Sequence, residues 1–331
     1  MYGLVIALRS FLYSKQIKKS YRVSVPVVCV GNIRVGGTGK TPLVAHLSAY
    51  FDDSFGIVSR GYGRKTKGIL EVKRDLAAIQ VGDEPLIYKH KFGDSVPVFV
   101  AENRVDGAGT LLKTYSSTQL ILLDDAFQHR KIISDFSIIV TDYAQPFWRD
   151  YLMPMGNLRE FRSAVRRAQV VLISKCPDII PTSFQLEAAD FLNKYQVPYF
   201  FSKLVYAQPR LFSGQLCEVY EDIKSIVLVT GIANPKPLLQ YLEKTKRVQA
   251  ISYPDHYNFK RSDIDEIHHK FDIFAPGESL ILTTEKDFMR LKSIITPEEM
   301  VNYMWCYIPI SLTIDKEEEF KALLKSYVTT N

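Results

Sequence analysis

Residues 25–42 restrict the fold more than any other part of the chain. An apolar run, Val-Pro-Val-Val-Cys-Val, passes into a glycine-rich turn. Lys40-Thr41-Pro42 then opens a helix with Leu43, Val44 and Leu47 on one face. Strand, glycine turn and helix in that order begin a parallel α/β sheet. Such a turn also cradles phosphates, because its backbone N–H groups converge and the following helix adds its positive end. The expected phosphate contacts are Arg34, Val35, Gly36, Gly37, Thr38, Gly39, Lys40 and Thr41. Lys40 would reach the β- and γ-phosphates and the Thr41 hydroxyl would bind Mg²⁺. The usual G-x-x-x-x-G-K-[ST] spacing fails at one place: Arg34 stands where its first glycine should be.

Further short apolar runs alternate with helical stretches. Strands are expected at Phe55–Ser59, Pro97–Ala101, Leu120–Asp124, Phe136–Thr141 and Val170–Ser174, with helical segments near 41–51, 83–92, 103–115, 162–168 and 182–194. This pattern predicts an α/β fold, a doubly wound parallel sheet whose ligands sit at the carboxyl ends of the strands. The stretch 196–224, with Pro198, Pro209 and Gly214, is less regular, and Tyr199–Leu204 and Leu216–Tyr220 could pair there. A second, smaller α/β series follows, with Tyr307–Ile310 as a late strand and a last helix from Lys316 to Tyr327. The expected division is an N-terminal helix in 1–24, a nucleotide-binding domain in 25–200, a two-stranded linker in 201–224 and a C-terminal domain in 225–331.

Charge placement says more than the net charge of +6. No acid precedes Asp52, whereas Arg9, Lys15, Lys18, Lys19, Arg22, Arg34 and Lys40 do. Such an arm suits phosphates, on nucleotides, nucleic acid or lipid headgroups. The first residues are apolar but far short of the roughly 20 needed to span a bilayer. They fit either a helix lying in a membrane interface or one packed on its own domain. Four dispersed cysteines form no C-x-x-C pair, which argues against a disulfide frame or zinc site.

Asp124-Asp125 end an apolar strand, the place where a carboxylate holds Mg²⁺ opposite a P-loop hydroxyl. Which of the two lies closer to the metal is open. Asp83, in Gly-Asp-Glu-Pro (82–85), reads most simply as a helix start, because acids and proline favour a first turn. His256 follows a strand of the second series, and Arg159 could stabilise a transferring phosphoryl or merely form a surface salt bridge. Arg60, among the glycines of Ser-Arg-Gly-Tyr-Gly, is a weak phosphate candidate.

Taken in order, the motifs are more specific. Val-Gly-Asn-x-x-Val-Gly-Gly-Thr-Gly-Lys-Thr-Pro (30–42), Ser-Arg-Gly-Tyr-Gly (59–63), Gly-Asp-Glu-Pro (82–85), Leu-Asp-Asp-Ala-Phe-Gln-His (123–129), Pro-x-Gly-x-Leu-Arg-Glu (154–160), Asp-His-Tyr-x-Phe (255–259) and Thr-Glu-Lys-Asp (284–287) resemble the tetraacyldisaccharide 4′-kinase family of lipid A biosynthesis. The resemblance covers nearly the whole chain. It implies an ATP- and Mg²⁺-dependent kinase acting on the 4′-hydroxyl of a lipid A disaccharide precursor to give lipid IVA. It also implies two α/β/α domains joined by a two-stranded linker. The protein would be peripheral or monotopic on the cytoplasmic face of the bacterial inner membrane, held by its N-terminal helix, with no nucleic-acid partner. It makes Asp83 and His256 the pair that activates the acceptor hydroxyl, against the simple cap reading of Asp83, with Lys40 and Arg159 as further catalytic residues. Thr41, Asp124 and Asp125 become the metal handlers. The family usually continues Leu-Arg-Glu with proline, where this chain has Phe161.

Two other classes share the loop. A P-loop GTPase should carry Asn/Thr-Lys-x-Asp, but Thr284-Glu-Lys-Asp287 misplaces its lysine and Ser174-Lys-Cys-Pro-Asp178 has its aspartate one place late; a metallochaperone should show His/Cys clusters, and the chain has none. A membrane scaffold that binds ATP would have no use for Asp83 and His256.

Overall fold

The computed structural model describes residues 2–51, 54–274 and 277–328. In chain order, helix α1 (Tyr2–Ser14) precedes β1 (Val27–Gly31), α2 (Lys40–Leu47), β2 (Phe55–Ser59), β3 (Leu70–Glu71), α3 (Ala78–Val81), α4 (Asp83–Phe92), β4 (Val98–Val100) and α5 (Arg104–Thr114). Next come β5 (Leu120–Asp124), β6 (Phe136–Asp142), β7 (Val170–Ser174), α6 (Thr182–Asn193), β8 (Tyr199–Tyr206) and β9 (Arg210–Leu211). The remainder is β10 (Ser225–Thr230), α7 (Lys236–Leu242), β11 (Arg247–Ser252), α8 (Arg261–Phe274), β12 (Ser279–Thr284), α9 (Glu285–Leu291), α10 (Pro297–Asn302), β13 (Trp305–Ile308), β14 (Ile310–Ile314) and α11 (Glu317–Val328).

The apolar runs became central strands because both faces are covered by helices, so every residue of β1, β2, β5 and β7 is buried. The large sheet has the order β14-β8-β7-β6-β1-β5-β2-β4-β3. β1 lies between β5 and β6, both parallel to it, with Val30 opposite Asp124. This register sets the phosphate loop beside the paired aspartates, at the point where the connections diverge. The small sheet runs β11-β10-β12-β13-β9, with β9 antiparallel to β13. One continuous apolar core joins the sheets, running from Val28 and Leu122 through Tyr88 of α4 to Phe288, Val229 and Ile281.

The structure corrects the connection. Tyr199–Tyr206 does not pair with 216–220, where residues 218–221 form a 3₁₀ turn; its antiparallel partner is β14, with Leu204 opposite Leu312. The stretch expected as one strand at 307–310 is split between the sheets. Pro309, which has no N–H to donate, stands between β13 and β14. The last strand and helix therefore return to the large sheet. The helix expected at 162–168 is a 3₁₀ helix, Arg162–Arg167.

Candidate active site

Gly36 and Gly39 take φ of 119° and 90°, values open to glycine and costly for other residues. Between them the loop curls over the end of β1. The Asn32 amide donates to Thr38 Oγ1 at 3.1 Å, and Ser174 Oγ donates to the Thr38 carbonyl at 2.6 Å. Lys175 Nζ bonds the Gly37 carbonyl and reaches Asp142 Oδ2 at 2.8 Å. Arg34, the apparent defect in the motif, has its own task. Its Nε pairs with Asp150 Oδ2 at 2.7 Å while Val35 N donates to Asn157 O at 2.9 Å, lashing the loop to segment 150–161. Lys40 heads α2 and Thr41 follows it. Ser174, Lys175 and Asn32 were not read from the sequence as braces of this loop, since hydrogen bonds between side chains and distant backbone carry no motif.

Lys40 Nζ lies 3.6 Å from Asp125 Oδ1. Arg159 grips the same carboxylate with both arms, Nη2 to Oδ1 at 2.7 Å and Nη1 to Oδ2 at 3.1 Å, and its Nη2 also bonds Asn32 Oδ1. Burial would raise the Asp125 pKa, but Lys40 and Arg159 outweigh it and hold the carboxyl at about 2. Asp124 is fully buried. That burial, with the nearby Glu84 and Asp125 carboxylates, pushes it up to about 7 against Lys40 and the Ser59 hydroxyl. Its Oδ2 accepts from Ser59 Oγ at 3.1 Å, while buried Oδ1 has no partner of hydrogen-bond geometry among the described residues.

An orphaned, buried carboxylate oxygen beside the phosphate loop fits a divalent cation. Mg²⁺ takes one or two carboxylates and completes its shell with water and phosphates, so Asp124, Asp125 and the Thr41 hydroxyl are an adequate donor set. No group of three or more His, Cys, Asp or Glu suited to a metal gathers among the described residues.

The second half of the site joins both sheets. His256 follows β11, and its Nδ1 lies 3.2 Å from Oδ2 of Asp83, the first residue of α4. The N-cap position is Gly82, and the Asp83 carboxylate after it turns to a side-chain partner on the other sheet. Its carboxylate also meets Nη2 of Arg290, whose Nη1 bonds Asp287 Oδ1 at 2.9 Å and the Gly231 carbonyl at 3.1 Å. Asp287 is completely buried and accepts from Gly231 N and Thr284 Oγ1. Burial would raise the Asp83 pKa, but hydrogen bonds from His256 and Arg290 bring it down to about 2. On the far side of the imidazole, Lys286 Nζ sits 3.1 Å from Nε2. Nδ1 also lies 3.2 Å from Arg290 Nη2; with its proton on Nδ1 the ring donates to Asp83 and accepts at Nε2. The sequence reading passed over Arg290. The available signal was its place three residues after Asp287, on the same face of one helix.

Backbone strain is present at both halves of the site. Asp125 and His256 have φ of 45° and 59°, a left-handed conformation worth roughly 1–3 kcal/mol each, which only a firmly packed surround maintains. The Ser-Arg-Gly-Tyr-Gly turn supplies part of it. Gly61 and Gly82 touch backbone to backbone, so that a Cβ on Gly82 would lie 3.0 Å from Gly61 Cα, and Tyr62 comes to rest 5.2 Å from the His256 ring. Gly82→Ala, at φ 92°, is expected to cost about 1–3 kcal/mol in urea unfolding, with lower kcat from the displaced Asp83. Arg60 is exposed at the end of β2.

A P-loop beside paired aspartates, with a carboxylate–histidine pair across from them, places the protein among the P-loop phosphotransferases. The comparisons narrow this class. The sequence profile of the tetraacyldisaccharide-1-P 4′-kinase family matches residues 1–329, and the chain belongs to that family. It is 36% identical over 340 residues to the tetraacyldisaccharide 4′-kinase of Flavobacterium johnsoniae, covering 100% of this chain and 95% of that one. The Cytophaga hutchinsonii enzyme of the same name is also 36% identical, over 96% of this chain and 90% of its own. The crystal structure of LpxK from Aquifex aeolicus in complex with ATP superposes with a TM-score of 0.77, at 26% identity, over 99% of this chain and 96% of that one. The resemblance read from the ordered motifs thus holds for the family, and the GTPase, metallochaperone and scaffold readings are not favoured.

Proposed function

We propose that this chain transfers the γ-phosphoryl group of ATP to the 4′-hydroxyl of a tetraacylated glucosamine disaccharide 1-phosphate, giving lipid IVA. Family membership supports the reaction. The observation that carries the residue assignment is the Asp83–His256 bond, which unites the carboxyl ends of two sheets in a reach of 3.2 Å.

His256 Nε2 is the base. It takes the proton of the acceptor hydroxyl as that oxygen bonds to the γ-phosphorus and the bond to the bridging oxygen breaks, so ADP leaves with the electron pair. Asp83 holds the ring and balances the imidazolium. This division follows from exposure: the His256 side chain is 36% exposed and Asp83 only 9%. Residues 34–41 cradle the phosphates, and Lys40 and Arg159 meet the charge on the transferred group. Thr41, Asp124 and Asp125 would hold Mg²⁺, which when bound would neutralise charge on the phosphates. Arg290 and Asp287 act as positioning residues behind the pair.

In this reading residues 1–24 lie on the membrane, 25–200 bind ATP, 201–224 connect and 225–331 supply the base, with β14 and α11 packed back on the ATP-binding sheet. The protein works at the cytoplasmic face of the inner membrane. No helix among the described residues is long and apolar enough to cross a membrane.

The test is incubation with ATP, Mg²⁺ and the lipid disaccharide phosphate in detergent micelles. The lipid is expected to gain one phosphoryl group, at a rate that rises with Mg²⁺ and saturates. ATP hydrolysis with no phosphorylated lipid would overturn the reading.

A further inference from the structure

Helix α1 is arranged inversely to a helix packed on a soluble domain. Its basic residue Arg9 turns inward, donating to the Gln128 carbonyl at 2.6 Å, and Tyr2 Oη donates to the Arg159 carbonyl at 3.1 Å. Leu4, Val5, Leu8 and Phe11 face outward, Leu4 with 76% of its surface exposed. The apolar surface does not end with the helix. Gly3 approaches segment 151–161 so closely that a Cβ would meet Leu152 Cδ2 at 3.1 Å and Phe161 Cζ at 3.7 Å. Beside that contact the segment presents Tyr151, 62% exposed, and Met155, 85% exposed. Isolated apolar residues on a surface need no explanation, but a contiguous group spanning two elements does.

Charge selects the occupant. Lys15, Lys18 and Lys19 are exposed immediately after α1, and Arg166 is exposed after the segment. The nearby acids are engaged internally, Asp150 by Arg34 and Glu160 by Arg167. An apolar strip edged by unneutralised cations is complementary to an anionic lipid bilayer, with apolar side chains among the acyl chains and ammonium groups at the phosphates.

We propose that segment 151–161 is a second membrane contact, which inserts Tyr151 and Met155 alongside α1. This rests on the reading of a bilayer-held acceptor given above. It adds a mechanical link, because the same segment holds the phosphate loop through Asn157–Val35, next to the Asp150–Arg34 pair, and carries Arg159 to Asp125. The bilayer surface is thereby fixed relative to the phosphate site, and the acceptor headgroup need not leave the membrane.

The test uses the full chain and vesicles of phosphatidylglycerol and phosphatidylethanolamine without acceptor. Tyr151→Glu combined with Met155→Glu is expected to lower co-sedimentation roughly tenfold or more, as burial of two large side chains is lost. On acceptor embedded in such vesicles its turnover should fall in parallel, while on acceptor dispersed in micelles it should stay within about twofold of wild type, since both sites are exposed. Wild-type vesicle binding by this variant would overturn the proposal. Equal wild-type binding to purely zwitterionic vesicles would overturn its charge component. Leu4→Glu with Leu8→Glu tests α1 separately. Failure of the unaltered protein to phosphorylate micellar acceptor would instead overturn the kinase reading, because vesicle binding is measured without acceptor.

Discussion

Asp83→Asn and His256→Gln are each expected to lower kcat by about 10²–10⁴-fold, the usual contribution of a positioned general base, with ATP affinity retained. The reason is geometric. Neither residue belongs to the phosphate loop, and their 3.2 Å bond lies where α4 of the large sheet meets the second sheet. Asparagine keeps the shape of Asp83 but removes the anion that balances an imidazolium. Glutamine at 256 removes the proton acceptor. Single-turnover phosphate transfer and nucleotide calorimetry separate the two effects, and wild-type turnover in both variants would refute the pair. The pH profile is a further check. Asp83 is held at about 2 because its bonds to His256 and Arg290 outweigh the burial that would raise it. An acid limb of kcat far above that pH reports another group.

Arg290→Ala is expected to cost about 3–5 kcal/mol of stability, because it strands charge rather than removing a pair. Arg290 serves Asp83, Asp287 and the Gly231 carbonyl at once, and both carboxylates are buried. Arg290→Lys should recover only part of the loss, since one ammonium cannot reproduce the guanidinium fork. Lys224→Ala, which breaks the exposed pair with Glu278, should leave the midpoint close to that of the wild type. Urea midpoints measure all three. The pH dependence has a definite sign. The Asp83 pKa is lowered from 3.8 to about 2, so its contribution is fully present above the upper value and is lost as pH falls through the lower. The wild-type midpoint should therefore fall in that window. In Arg290→Ala the step should shrink, because only the His256 hydrogen bond and Lys286 are then left to oppose burial at Asp83.

Much of this site was legible in the chain because it is local. A P-loop is one strand, one turn and one helix, so its glycines, Lys40 and Thr41 stand together in sequence as in space. Asp124-Asp125 is similarly a strand and its tip. Arg34, which looked like a missing glycine, was legible as a departure but not in purpose, because Asp150 lies more than a hundred residues away. Arg290 and Lys286 could not be joined to Asp83 from the sequence, since nothing near them in the chain shows that Asp83, on another sheet, lies within reach. The strand expected at 199–204 formed and runs on to 206, but its antiparallel partner was not recognised. Apolar alternation shows that a strand forms, whereas pairing depends on which distant edge remains open.

The sequence by itself thus determined that a glycine-rich loop would follow β1, beside two aspartates, in a parallel α/β sheet. Those features depend on backbone preference, glycine and short-range apolar pattern. Only the tertiary structure decided that Asp83 is a held anion rather than a helix cap, that Arg290 ties it to the second sheet, and that segment 151–161 joins the phosphate loop to the outward apolar face of α1. Each of those depends on a charge or a surface meeting a partner from far along the chain, and burial fixes its energy only once both have arrived.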